Sequence, residues 1–121
     1  MMKLLTMLTK GINKVYLIYR YLNKPLLFEY DETKSKTNLA KHGIDFITAQ
    51  QLWDDDNAID SSLNTKHEPR FLHIGMLSGK FYSAVFTWRG DKIRLISVRR
   101  ARSSEVQKYE KHSGRGTGQE I

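Results

Sequence analysis

Arginine is the residue type that offers chemistry in the second half of this chain. Arg70, Arg89, Arg94, Arg99, Arg100 and Arg102 all fall on predicted strands, strand ends or turns. Tyr82, Trp88 and Tyr109 lie among them. A guanidinium stays charged at any working pH and forks onto two phosphate oxygens. Aromatic faces stack on bases, so the mixture suits single-stranded RNA. It also suits ordinary solubility charge, and composition does not choose between the two. Regular alternation sends Arg94, Ile96, Val98 and Arg100 one way and Ile93, Leu95, Ser97 and Arg99 the other. Arg99 and Arg100 would then face one ligand together only across a bulge.

Lys41-His42-Gly43 is the second cluster. Both cations sit where a helix ends, so they feel the negative end of its dipole. Histidine also moves protons near neutrality. A favourable cap contact and a proton-transfer role both fit. Other chemistries find little. The chain has no cysteine, which removes disulfides, thiolate zinc sites and a cysteine nucleophile. Asp54, Asp55 and Asp56 are consecutive and do not face one another, and they read as a solvated helix end. His42, His67, His73 and His112 lack i, i+3 or i+4 spacing. No nucleophile elbow or phosphate-cradling glycine loop is present. The expectation is a chain with neither metal nor cofactor.

The elements that must position these residues follow from patterning. Leu26 to Tyr30 reads as a short strand. Asp31 caps a helix from Glu32 to His42, and Gly43 takes the left-handed position that ends it. Leu39 is apolar in a mostly polar helix, so this helix should lie on the surface. Asp45 caps a second helix from Phe46 to Trp53. Ala58 to Ser61 is a weak strand, and Asn64 to Pro69 a polar loop. Arg70–Leu77, Phe81–Trp88 and Ile93–Arg100 are strands joined at Ser78-Gly79 and Gly90-Asp91, an antiparallel meander. Ser103 or Ser104 caps a final helix from Glu105 to Lys111. The fold class is α+β: two N-terminal helices and a C-terminal helix on an antiparallel sheet of three to four strands.

The 121 residues fit one domain. The net charge of +7 is unevenly spread. Residues 1–26 carry five bases and no acid, with Leu4, Leu8, Ile12 and Val15 at helical spacing. They read as a basic extension, either poorly ordered or a helix lying on a partner or membrane surface. Residues 27–111 form the domain, with fourteen bases against twelve acids. Residues 112–121 read as a flexible tail. No apolar run is long enough to span a bilayer, and no cleavable leader follows the start, so the expected location is the cytoplasm.

Several strings taken together resemble the BrnT family of type II toxins. They are Phe28-Glu29-Tyr30-Asp31, then Asn38-Leu39-Ala40-Lys41-His42-Gly43-Ile44-Asp45-Phe46, then Leu52-Trp53-Asp54-Asp55. The second half adds Ala84 to Gly90, Ile93 to Arg102, and Glu105 with Tyr109-Glu110. The resemblance covers residues 27–110 and implies a RelE-like fold. It implies a metal-independent endoribonuclease that arrests translation, in which a 2′-hydroxyl attacks the neighbouring phosphate. It further implies a BrnA-like antitoxin with a ribbon-helix-helix part, through which any contact with DNA would be indirect. Carried over by position, the catalytic residues would be His42, Lys41, Arg99, Arg100 and Tyr109, with His42 moving the proton. RNA would be bound by Arg70, Arg89, Arg94, Arg102 and Trp88. The rival reading is a basic module that binds RNA or a partner without cutting, a degraded toxin.

Overall fold

The computed structural model describes residues 25–113. The readings of the N-terminal extension and of most of the tail lie outside these residues. The order of elements is β1 (Leu27–Glu29), α1 (Glu32–His42), α2 (Phe46–Ala49), a 3-10 helix (Gln50–Asp54), β2 (Ile59–Leu63), β3 (Arg70–Leu77), β4 (Lys80–Arg89), β5 (Lys92–Arg100) and α3 (Ser103–Ser113). The class is α+β as expected, but the sheet has five strands and is mixed. Its order is β1-β5-β4-β3-β2, with β1 parallel to β5 and the other pairs antiparallel. Parallel pairing needs a crossover, and here nearly the whole domain separates the two strands, so no local pattern announces it.

α1 forms where its caps place it. Asp31 accepts from the backbone of Lys34, and Gly43 closes the helix at φ 75°. It is anchored by polar side chains, which leaves Leu39 half exposed at 48%. The Ser35 hydroxyl accepts from the Phe46 N–H at 2.9 Å. Asn38 donates to the carbonyls of Ile44 and Val98 and accepts from the Val98 N–H, all within 3.0 Å. β1 pairs with β5 only as far as Arg94. Beyond that the side-chain amide of Asn38 takes the place of a neighbouring strand at Val98.

The second helix departs from expectation. It is α-helical only to Ala49 and then tightens into the 3-10 helix. The tighter winding stacks residues three apart, so Phe46, Ala49 and Leu52 line up and are all fully buried. They pack with Ile44, Trp53, Ala84, Phe86, Ile93, Leu95 and Val98. Gly75 makes room for this approach: a Cβ there would lie 3.1 Å from the Leu52 carbonyl. Beside it Trp53 stacks on His73, centroids 4.0 Å apart. His73 is fully buried, with Nε2 donating to the Leu52 carbonyl and Nδ1 against Asp60.

The alternation expected along β5 is broken. Val85 is opposite Ser97, but Phe86 is opposite Leu95, so Ile96 is an extra residue. Before this bulge the odd positions face the α1–α2 side, and after it the even ones do. Ile93, Leu95 and Val98 therefore share one core. Arg94 is turned to the same face as Ser97 and Arg99, not to that of Val98 and Arg100.

Candidate nucleic-acid interface

The sheet has two unlike faces. α1, α2 and the 3-10 helix cover one of them. On the other, α3 covers only part, through Tyr109 packed with Leu72 and Ile74. Register places the residues of this second face in rows across the strands. One row runs from Glu29 on β1 to Arg94 on β5 and Thr87 on β4. Arg70 on β3 and its partner Leu63 on β2 continue that row. A second row is Ser97, Val85, Leu72 and Ser61, and a third is Arg99, Ser83, Ile74 and Ile59. Arg89 extends the same face at the end of β4. This end of the face is open to solvent at its arginines, with the Arg70 and Arg89 side chains 41% and 48% exposed.

Each arginine on this face is held by a carboxylate. Glu68, at the end of the loop before β3, reaches Arg70 at 3.4 Å and Arg89 at 3.2 Å. Glu29 pairs with Arg94 at 2.8 Å. These partly exposed pairs are screened by water and contribute little to stability, so they orient side chains more than they hold the fold. They keep the guanidinium groups pointed at one surface.

The Arg99–Glu105 pair is of another kind. Both guanidinium Nη atoms donate to the two Glu105 oxygens, each at 2.8 Å. The same carboxylate accepts from the Ser83 hydroxyl at 2.8 Å and from the Arg102 N–H at 2.8 Å. The Arg102 carbonyl begins α3 by accepting from Glu105 and Val106. Glu105 thus returns to the N-cap residue as in a capping box, and neither Ser103 nor Ser104 fills the capping role expected of it. Four charged or polar donors converge on one buried carboxylate. The Arg99 bonds foremost, with Arg102 and Ser83 behind them, hold Glu105 down to a pKa of about 2 against the cost of burial. Glu105 in turn raises Arg99 further.

A family model for "Ribonuclease toxin, BrnT, of type II toxin-antitoxin system" matches residues 30–105. The chain belongs to the BrnT family. No curated protein matches it. Membership of a type II toxin–antitoxin family implies a cognate antitoxin as a partner.

The remaining residues singled out for this BrnT chain do not gather on the arginine face. Arg100 turns to the opposite face, its guanidinium 5.8 Å from the centre of the Tyr82 ring. Arg99 and Arg100 obey ordinary alternation after the bulge, so they do not converge. Trp88 is also on the α1–α2 face, packed edge-on to Phe86. Arg102 is exposed at the start of α3. Lys41 and His42 are exposed at the end of α1 and make no hydrogen bond or ion pair with any arginine of the set. Tyr109 is 1% exposed, donates to Asp55 at 2.8 Å and packs edge-on to Phe81.

Sequence reasoning missed the carboxylates. Glu105, Glu68 and Glu29 have no site role in the sequence reading, and only Glu105 carries a signal, three residues past its cap. Asp55 was grouped with a solvated run. It accepts from the N–H groups of Asn57 and Met76 and from Tyr109, pinning α3 and β3 to the end of the 3-10 helix.

Proposed function

We propose that this BrnT chain cuts RNA by letting a 2′-hydroxyl attack the adjacent phosphate, and that the arginine face of its sheet carries the reaction. The 2′-oxygen–phosphorus bond forms and the bond to the 5′-oxygen breaks, leaving a cyclic phosphate and a 5′-hydroxyl. Negative charge builds on the two non-bridging oxygens during attack. Fixed guanidinium groups stabilise that charge, and they do so without reorganising. The observation that carries this reading is the Ile96 bulge, which turns Arg94 to the face that holds Arg70, Arg89 and Arg99. Thr87 and Ser97 lie between them.

No metal is needed in this scheme. Among the described residues no three His, Asp or Glu side chains are grouped so as to hold one. His42 remains the candidate for proton transfer, and RNA would have to pass the edge of β5 that Asn38 caps at Val98 to meet it. A BrnA-like ribbon-helix-helix antitoxin would neutralise the toxin, and translation would stop as messages are cut. No helix among the described residues is long and apolar enough to cross a membrane.

The test is incubation of the purified chain with single-stranded RNA in the presence of a chelator. Fragments ending in cyclic phosphate are expected. The Arg89→Ala/Arg94→Ala double variant should be slower by about 100-fold. One observation favours the non-catalytic rival: Glu29, Glu68 and Glu105, the glutamates described on this face, are each paired with an arginine and so are poorly placed to act as base. RNA that is bound and never cut, with intact ends, would establish that rival and overturn cleavage.

A further inference from the structure

Arg99 has five N–H donors. Glu105 takes one from each Nη, and the carbonyl of Arg100 takes a second from Nη1 at 3.2 Å. The Nε–H and the remaining Nη2–H are left, and they point the same way. Together they form the side-on fork that matches two oxygens of one phosphate. The side chain is 27% exposed, against 10% for Glu105, so the arginine opens to solvent while its partner stays beneath.

We propose that Glu105 is the positioning residue of the RNA site: by gripping the far end of the Arg99 guanidinium it presents the Nε/Nη2 edge to the scissile phosphate. This rests on the ribonuclease reading above. A lone arginine on a flexible stem samples many rotamers. Here its plane is fixed by a carboxylate that is itself anchored from three elements. Ser83 holds it from β4, the Arg102 N–H from the start of α3, and Arg99 from β5. The full positive charge of Arg99 is partly offset by Glu105. The pair therefore gives up some general attraction for RNA and gains orientation. Orientation counts most where charge on the phosphate is greatest, so the effect belongs in kcat more than in KM.

The experiment measures kcat, KM and thermal midpoint for the full chain with a short single-stranded RNA. The variants are Glu105→Gln, Arg99→Ala, Arg99→Lys and the Arg99→Ala/Glu105→Gln double variant. Glu105→Gln is expected to lower kcat by about 100-fold with little change in KM, as misplaced groups do. The double variant should be no slower than Arg99→Ala alone, because Glu105 acts through Arg99. Arg99→Lys retains the charge and a contact to Glu105 but lacks the second fork, and it should be as slow as Arg99→Ala. It tests the edge even if Glu105→Gln fails to fold. A Glu105→Gln protein that cleaves at the parent rate, losses that add in the double variant, or an Arg99→Lys protein with near-parent kcat would each overturn the positioning role and leave the ribonuclease reading standing. A parent protein that cuts no RNA overturns both.

Discussion

Acidification from pH 7 to pH 3 should remove about 2 kcal/mol of stability through Glu105 alone. Its carboxyl titrates near 2 in the folded protein, against an ordinary value of 4.5. That depression of about 2.5 pH units corresponds to about 3 kcal/mol of stability for the ionised form, at 1.36 kcal/mol per unit. Because the folded value is the lower one, the unfolded chain takes up the proton first as pH falls. The contribution is complete above about pH 5 and disappears between 4.5 and 2. At pH 3 about 1 kcal/mol of it remains. Other carboxylates also titrate in this range, so the quantity to read is a difference. Urea unfolding of the parent and of Glu105→Gln, at pH 7 and at pH 3, supplies it. Glutamine is neutral at both, so the gap between the two proteins should narrow by about 2 kcal/mol on acidification. A gap that stays constant or widens would refute the claim that an ionised Glu105 holds Arg99, Ser83 and the start of α3 together.

Replacing Glu68 by Gln frees Arg70 and Arg89 from their shared carboxylate and should tighten RNA binding. Arg89→Ala should weaken it and flatten the salt dependence by about one phosphate contact, both read by titration at several salt concentrations. Asn38→Ala leaves the Val98 N–H and two carbonyls without the partner they have now, and urea unfolding should show a loss of about 2–4 kcal/mol. Tyr109→Phe keeps the ring against Phe81 but removes the bond to Asp55. Its unfolding free energy should fall by about 1–2 kcal/mol in urea titration, while RNA cleavage persists. Abolished cleavage in a folded Tyr109→Phe protein would move that hydroxyl into the site.

The elements of this domain were legible because their punctuation is local. Asp31 and Gly43 bracket α1, and Ser78-Gly79 and Gly90-Asp91 separate the meander strands where they are found. What escaped was set by distant partners. β1 is legible as a strand, but its parallel pairing with β5 is not. Asp55 resembles its two neighbours until Met76 and Tyr109 arrive. His73, one of four scattered histidines, is buried because Trp53 stacks on it and Asp60 lies on the adjoining strand. The arginines could be chosen from sequence, but their grouping could not. One extra residue at Ile96 decides which of them share a face, and nothing in Leu95-Ile96-Ser97 marks the place.

The pairing of the first strand with the last also bears on how the chain is made. β3, β4 and β5 are joined by tight turns and can associate as soon as they are synthesised. Glu29 must wait for Arg94, and Asn38 for Val98, 65 and 60 residues away. Closing such long loops is slow compared with zipping a meander. On the ribosome β1, α1 and α2 are delivered first and wait for β5 before they can pair and pack as they do in the fold. The hydrophobic core and the arginine face are therefore completed together, once β5 has emerged. A truncated or stalled product lacking β5 would complete neither, so the toxin's surface depends on the same strand that closes its core.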